Sequence, residues 1–583
     1  MKKLFAVLIC VAMLAMLFAG CELTQTGAQN GSQTTDQSGT NDTAAQQSGD
    51  SGESSEAMFA SGDEKDVSSE TPNATITLCG TEGTISDETR GSSGSTVTIT
   101  SKGVYLVTGS STDVTIRIAD EQESGNIYLI LDNVSMTNSV SACIYVESAD
   151  KVILQCVGSS SLSCTASSNA DGIDGAIYAK DDLTINGSGS LSVTSTQHGI
   201  VCKDDLKMTG ASITVTASSI GLQAGDSVRI ADSAVSVTSG HDGIQIENSD
   251  GSSFFYMESG TLSVAAGYDA IDVDTSGSSF SGSLTLCGGT ISLTAGGGAG
   301  NSKDSSISQK GLACEGNISI SGCTLTVSSA DDAVHSNGSI TVSSGTVTVS
   351  SSDDGITATD TLSIQGGTIT VEKSYEGLEA ETVDISSGTI SVCAGDDGVN
   401  AAGGSDTGAN DWNPWGSGSS SGTLTISGGT LYVNAGGDGL DSNGSIYITG
   451  GFTIIEGPTD NGNGALDKGD SNACVASITG GTVLALGTTG MAVNFDTGTQ
   501  CSALVTLSGS AGTTVTVDDG SGFSFTASKS FQCAVYSSPY LQKGSSYTIT
   551  ADSSSAVMDF SSSLYYSTVG GMGGFGGMGP GRR

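Results

Sequence analysis

The chain has few prolines, few aromatic residues and few cations, and each shortage narrows the class of protein. Only 5 of its 583 residues are proline, and 5% are aromatic. The 19 lysines and arginines face 62 acidic residues, and the net charge of −43 disfavours direct binding to nucleic acid or to an anionic membrane. Low aromatic content with high acidity is also typical of disorder. However, apolar residues recur with strict periodicity from about residue 75 to 567, which indicates a folded β structure.

The sequence also lacks the motifs of common active sites. It has no Walker loop, no nucleophile elbow and no zinc motif, and Gly-rich matches carry no information in a chain with 84 glycines. The three histidines, His198, His241 and His335, share no metal-ligand spacing. We predict all three at the surface or at corners of the fold.

The N-terminus is typical of an exported bacterial lipoprotein. Lys2 and Lys3 precede an apolar run, and small residues then lead to Cys21. We predict a signal peptide over 1–20, a lipid on Cys21, and attachment to the outer face of the bacterial cytoplasmic membrane, at the cell surface. Plain secretion is the alternative. Residues 21–72, rich in Ser, Gln and Thr, are predicted to be a flexible tether.

The central part of the chain repeats itself. Segments 311–332, 333–354 and 355–376 align, and each ends on an acidic residue. Such a repeat is typical of a solenoid in which one repeat forms one turn. The position that closes each turn holds Asp242, Asp269, Lys310, Asp332, Asp354, Glu376, Asp397 and Asp438.

Each repeat contains three short stretches of alternating apolar and polar residues, the pattern of half-buried strands. In the repeat from 355 they begin at Ile356, Leu362 and Ile369, and Gly366-Gly367 supplies a sharp bend before the third. Three strands per turn predict an all-β fold, a right-handed parallel β-helix with β caps at both ends. The predicted inward ladder is Leu312, Val334, Ile356, Leu378 and Val399.

We predict domain boundaries where the regular repeats begin and end. We assign 73–170 to an N-terminal β cap with the first turns, and 171–499 to the parallel β-helix that binds carbohydrate. A C-terminal β cap is predicted over 500–567, followed by a disordered Gly/Met-rich tail over 568–583.

The closing carboxylates predict a cation site. Stacked about 4.8 Å apart, they would repel by about 1 kcal/mol per pair in water. Paired acids of neighbouring turns offer the oxygen ligands that calcium prefers, so we predict Ca²⁺ as cofactor, with Lys310 as a built-in cation. The alternative is that the acids cap corners by accepting backbone amides. The predicted metal ligands are Asp331, Asp332, Asp353, Asp354, Glu376, Asp396 and Asp397.

Several segments resemble one family in the order of their motifs. They are DDAVHSNGSITVSSGT (331–346), DDGITATDTLSIQGG (353–367), DDGVNAAGG (396–404), DGLDSNGSIYITGG (438–451) and GPTDNGNGALD (457–467). Over about 75–500 the chain resembles a bacterial family of carbohydrate-binding β-helix proteins, similar in fold to calcium-dependent pectate lyases. The resemblance implies a protein that binds calcium, cellulose-like glucans and acidic pectic polysaccharides.

Catalysis by Lys373 is the main alternative. Calcium pectate lyases use Lys or Arg as base, and Lys373 is the one cation expected beside the acidic cluster, near Asp354. Because neighbouring carboxylates would raise its pKa, it suits a base poorly. We therefore assign Lys373 and Tyr375 to carbohydrate binding. A glycoside hydrolase needs one unique carboxylate pair, which a repeated column does not provide.

Two further features leave alternatives open. The insert over 403–422 holds Trp412 and Trp415, which either stack on sugar rings or pin the insert to the coil; we assign them to carbohydrate binding. Cysteines such as Cys314 are predicted to be buried thiols, with a bridge from Cys314 to Cys323 as the alternative.

Together these patterns predict a monomeric, non-catalytic cell-surface protein that binds a plant-wall type glucan or polygalacturonate with calcium. It would meet the membrane only through its lipid and would not bind nucleic acid. A calcium-dependent lyase and a structural stalk or adhesin for a protein partner are the alternatives.

Overall fold

The computed structural model describes residues 58–122, 125–167, 172–248, 253–275, 282–402 and 422–567. All of them belong to one compact unit that begins at Ala57. Within these ranges every regular element is a β-strand. Accordingly, the described residues contain no helix with the length and hydropathy needed to cross a membrane.

Each turn of the coil contributes one strand to each of three sheets, as the repeat pattern predicts, and successive turns pair in parallel. In the first sheet the terminal strand Gly91–Ser92 pairs antiparallel with Thr96–Ile99. The first sheet has 15 strands. Its strands are Gly91–Ser92, Thr96–Ile99, Thr115–Ala119, Ile144–Ser148, Gly175–Ala179, His198–Cys202, Leu222–Ala224, Ile244–Asn248, Ile271–Thr275, Leu312–Cys314, Val334–Ser336, Ile356–Ala358, Leu378–Glu379, Val399–Ala401 and Leu440–Ser442.

The second sheet follows the first in every turn. Its strands are Val152–Val157, Leu183–Asn186, Asp205–Thr209, Ser227–Ala231, Phe254–Met257, Ser283–Leu286, Asn317–Ile320, Ile340–Val342, Thr361–Ile364, Thr382–Ile385 and Thr423–Ile426.

The third sheet completes the turn. Its strands are Ser159–Cys164, Ser190–Ser195, Ser212–Ala217, Ser233–Ser239, Gly260–Ala266, Thr290–Ala295, Thr324–Ser329, Thr346–Ser351, Thr368–Ser374, Thr389–Ala394 and Thr430–Ala435. Four long strands at the two ends of the coil run through both the second and the third sheet. They are Gly103–Thr112, Ile127–Asn138, Ser445–Glu456 and Ala476–Gly487.

The core is a set of stacked apolar ladders. The predicted ladder on the first sheet is confirmed, since Leu312, Val334, Ile356, Leu378 and Val399 are strand partners in that order and none is exposed. Full burial of one such side chain contributes about 1.5–3 kcal/mol. No turn buries its own apolar face without its neighbours, so stability comes from the stack.

The corner between the second and third sheets depends on glycine. Gly367 has a φ of 84°, and a Cβ there would lie 2.9 Å from the carbonyl oxygen of Gly345 in the preceding turn. A left-handed backbone and a close approach to the neighbouring turn both favour glycine. The predicted bend at Gly366-Gly367 is therefore present.

Both ends of the coil are covered by antiparallel structure. At the N-terminal end, Ala74–Gly80 and Glu82–Ile85 form a hairpin, and the first of these strands also pairs in parallel with the coil. The C-terminal end has a second apolar core and a four-stranded antiparallel sheet. The four-stranded sheet consists of Ser524–Thr526, Thr514–Val517, Ser546–Ala551 and Ser554–Asp559. The other strands at this end are Thr497–Gly498, Ser502–Gly509, Phe531–Ser537 and Leu564–Tyr566. An all-β parallel β-helix with β caps is thus confirmed.

The predicted tether is wrong for its last residues. Asp63 and Val67, inside the 21–72 segment, are fully buried. The Asp63 carboxylate binds Lys151 Nζ at 3.0 Å and accepts a hydrogen bond from Thr184 Oγ1 at 2.8 Å. The Val67 amide donates to Gln155 Oε1 at 2.9 Å. This stretch packs along the outside of the second sheet because its few apolar and charged groups find partners there.

The cysteines of the described residues are all free thiols. Cys202 and Cys314 are buried, as predicted, and Cys314 and Cys323 are not bridged. Burial raises the pKa of the Cys314 thiol to about 12, so it stays protonated. These thiols act as small apolar side chains.

Candidate functional site

The closing acids form a ladder at the corner between the third and the first sheet. The amide of Asp354 donates to Asp332 Oδ1 and the amide of Glu376 to Asp354 Oδ1, both at 3.1 Å. The amide of Asp438 donates to Asp397 Oδ1 at 2.6 Å. The corner-capping alternative is therefore real, since one oxygen of each of these acids satisfies a backbone amide. The second oxygen remains to be compensated by another group.

One part of the ladder is compensated by the chain itself. Asp331, Asp332 and Asp353, here called the compensated cluster, have carboxylate oxygens within 4.8 Å of one another. Lys303 Nζ lies 2.7 Å from oxygens of both Asp331 and Asp353. Lys310 Nζ lies 2.9 Å from Asp332 Oδ2. The two ammonium groups stand where an external cation would otherwise be needed, and Lys310 is the predicted built-in cation.

A histidine completes the compensation of the buried Asp332. His335 Nδ1 lies 2.9 Å from Asp332 Oδ2, and His335 Nε2 lies 3.0 Å from Asn337 Oδ1. Burial alone would raise the pKa of Asp332, but His335 and Lys310 hold it well below its usual range. The prediction that His335 lies at the surface or at a corner is wrong, because this histidine is 7% exposed and lies inside the strand Val334–Ser336.

A second group of acids has no such compensation. Asp438, Asp441 and Asp467, here called the uncompensated cluster, also bring their oxygens within 4.8 Å of one another. Among the described residues, no Lys, Arg or His nitrogen lies within 4.0 Å of these three carboxylates. Burial, then the charges of Asp397 and Asp467, raise the pKa of Asp441 to about 8. Burial raises the pKa of Asp438 to about 7, despite a hydrogen bond from the Gly464 amide.

The pKa values of the acids between the two clusters are also raised toward physiological pH. Burial, then the charges of Asp332 and Glu376, raise the pKa of Asp354 to about 8. Burial, then Glu379, raise the pKa of Glu376 to about 8, against the hydrogen bond from Asn400. Burial raises the pKa of Asp397 to about 6. Without a cation, this stretch therefore holds protons close to physiological pH.

Asn400 brings a buried acceptor to the same surface. Its Nδ2 donates to Glu376 Oε2 at 2.6 Å. Its Oδ1 is buried and has no hydrogen-bond partner, and Asn400 is the strand partner of Asp441 in the next turn. An unsatisfied buried carbonyl oxygen costs about 1–3 kcal/mol. The oxygen set of Asn400, Asp438, Asp441 and Asp467 therefore fits a hard cation.

Sequence reasoning missed Asp441 and Asp467 because they lie outside the column. They follow Leu440 and Leu466, which form a parallel bridge between adjacent turns. The signal was present in the sequence, where Gly439-Leu440-Asp441 and Ala465-Leu466-Asp467 match position by position. The apolar residue points into the coil, so the following acid points out of it.

The predicted sugar-binding residues are only partly brought to the column. Tyr375 is 52% exposed, and its hydrogen bond to Asp396, then burial, raise its pKa to about 12. Lys373, predicted beside the acidic cluster near Asp354, is held by the neighbouring loop, where its Nζ donates to Ala299 O at 2.8 Å. Trp412, Trp415 and Cys21 lie outside the described residues.

A bulge explains the position of Lys373. In the strand Thr368–Ser374, the pairing with the turn before it shifts at Val349/Ser350, so that Ser350 faces Lys373. The pairing with the following turn shifts between Val371 and Ser374. Such a bulge re-aims the side chains around it, and here the ammonium is held on the loop that contains Ala299.

Comparisons with known proteins agree with a carbohydrate-binding role. A family model described as "Carbohydrate-binding domain-containing protein" matches residues 93–355 and 351–522, well over half of the chain. A relative of the same description from Acetivibrio thermocellus is 34% identical over 125 residues, which are 20% of this chain and 43% of the relative. The chain thus spans less than half of that relative's length.

A solved structure is also similar in part. It is described as the polysaccharide lyase-like protein from C. thermocellum, in a gadolinium derivative. The TM-score is 0.36 and the identity 31%, over 39% of this chain and 92% of the solved one.

Proposed function

Because the chain belongs to the family of carbohydrate-binding domain-containing proteins, we propose that it is a non-catalytic protein that binds polysaccharide with the help of calcium. The observation that carries the calcium part is the run of half-buried carboxylates from Asp354 to Asp467 that no lysine, arginine or histidine of the described residues pairs with. Such carboxylates are costly to ionise unless a cation joins them.

The uncompensated cluster is the part of this surface best suited to hold the ion. Three carboxylates and the Asn400 carbonyl oxygen supply hard oxygen ligands from three successive turns, and calcium accepts six to eight of them in a flexible geometry. Bound there, calcium would neutralise the acids and offer its remaining coordination positions to sugar hydroxyls or carboxylates.

The ligand class follows from the same chemistry. On the first sheet, polar residues are strand partners in successive turns, namely Thr357, Glu379, Asn400 and Asp441, and the closing acids lie beside them. A polar row that runs along the coil suits an extended polymer rather than a small molecule. Acidic pectic chains would bind through calcium, and glucans through hydroxyl contacts. We further propose that a lipid on Cys21 holds the protein, as a monomer, at the outer surface of a bacterial cell.

The binding function is tested by retardation of the full chain on native gels that contain polygalacturonate or a soluble glucan, with calcium or with chelator. Calcium-dependent retardation on polygalacturonate, without unsaturated product, is the expected result. No retardation on any glycan would overturn the proposal and leave a stalk or adhesin as the better account. Retardation unchanged by chelator would overturn the calcium part alone.

The lyase alternative makes a separate prediction at Lys373. Its ammonium donates to the carbonyl oxygen of Ala299, so the loop already engages the group that would have to act as the base. We expect Lys373→Ala to leave calcium-dependent retardation within about fivefold, because an exposed ion contributes at most about 1 kcal/mol. Ultraviolet absorbance of unsaturated uronate in the wild type, abolished by this substitution, would restore the enzyme reading.

A further inference from the structure

A cleft opens on the first sheet at the end opposite the uncompensated cluster. It has a volume of about 590 Å³ and lies over the strands Thr96–Ile99, Thr115–Ala119 and Ile144–Ser148. Its lining includes Arg117, Val140, Tyr145, Glu147 and Lys180. A cavity of this size is in the range of small-ligand sites, about 300–1,000 Å³.

One wall of the cleft is a loop fixed by a buried asparagine. Asn138 is 2% exposed, and its Oδ1 accepts hydrogen bonds from the amides of Val140 and Ser141 at 2.9 Å each. Its Nδ2 donates to Val114 O and to Thr115 Oγ1, at 3.1 and 3.0 Å. The result is a rigid loop that presents Val140 with 67% of its surface exposed. An apolar side chain held out at the mouth of a polar cleft offers a contact for the apolar face of a ligand.

The lining of the cleft carries two acids, Asp113 and Glu147, and two cations, Arg117 and Lys180. Arg117 forms an ion pair with Glu147. Asp113 Oδ1 accepts hydrogen bonds from the Ser139 amide at 2.7 Å and from Ser139 Oγ at 2.8 Å. The cleft therefore presents hydrogen-bond donors and acceptors side by side, with little net charge.

Lys180 adds a donor that no carboxylate takes up. Its ammonium lies 5.7 Å from the centre of the Tyr145 ring, and no Asp or Glu oxygen of the described residues lies within 4.0 Å of it. Lys203, in the next turn, sits the same way over Tyr178, also at 5.7 Å. The two rings meet edge to face at 6.1 Å. The aromatic pair thus holds both ammonium groups at the surface.

We propose that this cleft binds a neutral, hydroxyl-rich sugar chain without calcium. Hydroxyl groups both donate and accept, so they match a surface where ammonium, guanidinium and carboxylate groups alternate, while the ring face packs on Val140. A polyanion fits less well, because the carboxylates of Asp113 and Glu147 line the same cleft and offset its two cations. The two ends of the first sheet then take different polysaccharides. The inference rests on the proposed function only in that the ligand is a polysaccharide.

The test measures retention of the full chain on a soluble neutral β-glucan and on polygalacturonate, each with calcium and with chelator. Val140→Asp/Lys180→Ala removes the apolar contact and the ammonium group that no carboxylate pairs with. The matched control is Val557→Asp/Lys543→Ala, the same two changes on the C-terminal cap, where Val557 is 57% exposed. We expect the first variant to bind the neutral glucan about tenfold more weakly in chelator, from the loss of a charged hydrogen bond. The control should bind as the wild type does, and both variants should keep calcium-dependent binding to polygalacturonate.

Each outcome separates this inference from the proposed function. Equal glucan retention by the variant and the control would overturn the inference and leave polygalacturonate binding intact. Wild-type retention on the glucan that disappears in chelator would overturn it too, because the cleft holds no calcium ligand set in this proposal. A wild type that binds neither polymer would overturn the proposed function itself. Melting temperatures within a few degrees of the wild type would show that all variants are folded.

Discussion

The compensated and the uncompensated cluster are two solutions to one problem on the same ridge. Each brings three carboxylates within 4.8 Å. In the first, Lys303 and Lys310 are delivered by the chain between Thr290–Ala295 and Leu312–Cys314. In the second, no Lys, Arg or His nitrogen of the described residues lies within 4.0 Å of the carboxylates. The difference teaches that the residue type does not decide the charge state. Asp332 has a pKa well below its usual range, whereas burial and neighbouring acids raise that of Asp354, one turn further, to about 8.

Removal of the built-in cation Lys310 should lower the free energy of unfolding more than any other substitution considered for the two clusters. Lys310→Met removes the ammonium group that lies 2.9 Å from the fully buried Asp332, and loss of one partner of a buried ion pair costs about 3–5 kcal/mol. Urea unfolding in chelator measures the loss. Lys373→Met is the matched control and should cost less than about 1 kcal/mol, because that lysine is exposed. A similar small cost for both would mean that Lys310 does not compensate the cluster. Lys303→Met/Lys310→Met should in addition make the melting temperature more sensitive to calcium.

The two clusters should also respond oppositely to pH. Asp438 and Asp441 have folded pKa values raised to about 7 and 8, above the unfolded value of about 3.9. Their contribution is fully present below pH 4 and is lost as the pH rises through 7–8, since the folded state binds more protons there. In chelator the melting temperature should therefore fall by several degrees between pH 5 and pH 8.5, and calcium should restore it at the upper end. Asp332, with its lowered pKa, contributes above its unfolded pKa and loses that contribution only in acid.

Substitution of acids of the uncompensated cluster provides the control for that pH series. In Asp438→Asn/Asp441→Asn the decline from pH 5 to pH 8.5 should flatten, because two of the titrating groups are gone. An unchanged slope would place the pH response elsewhere in the chain.

The smallest expected effect is on calcium affinity, and it distinguishes most directly which of the two clusters binds the ion. Asp441→Asn/Asp467→Asn removes two charged ligands and should weaken calcium binding about tenfold, or about 1.4 kcal/mol. Asp331→Asn/Asp353→Asn should change it by less than about threefold, because lysines already pair with those acids. Isothermal titration calorimetry distinguishes the two. The reverse ranking would move the calcium site to the compensated cluster.

Much of the coil could be predicted because the same apolar pattern recurs in every turn. Leu312, Val334 and Ile356 repeat at one spacing, and only a parallel stack buries such a ladder. The same register placed Lys310 in the acidic column. Lys303 could not be placed, because it lies in an insert whose path no period specifies. Lys373 was misplaced because a bulge breaks the register of its strand.

The packed N-terminal stretch escaped prediction for a different reason. Around Asp63 and Val67 the chain is polar and aperiodic, the composition of a linker. Its position depends on single partners, such as Lys151 and Thr184, that belong to different turns of the coil. Contacts of this kind leave no trace in local sequence, since the polar partners do not repeat and Val67 is a single apolar residue.

That same stretch determines how the coil would carry a load. Asp63 is held by Lys151 beside one strand of the second sheet, Thr184 in the next and Thr209 in the one after, through its side chain and its carbonyl oxygen. A pull on residue 58 therefore enters at the flank of the solenoid and is shared by three turns at once. It does not act on the terminal hairpin, where tension would peel turns away one after another. The contacts of Asp63 therefore transfer force to the side of the coil, and the turns at its N-terminal end are not the first to separate.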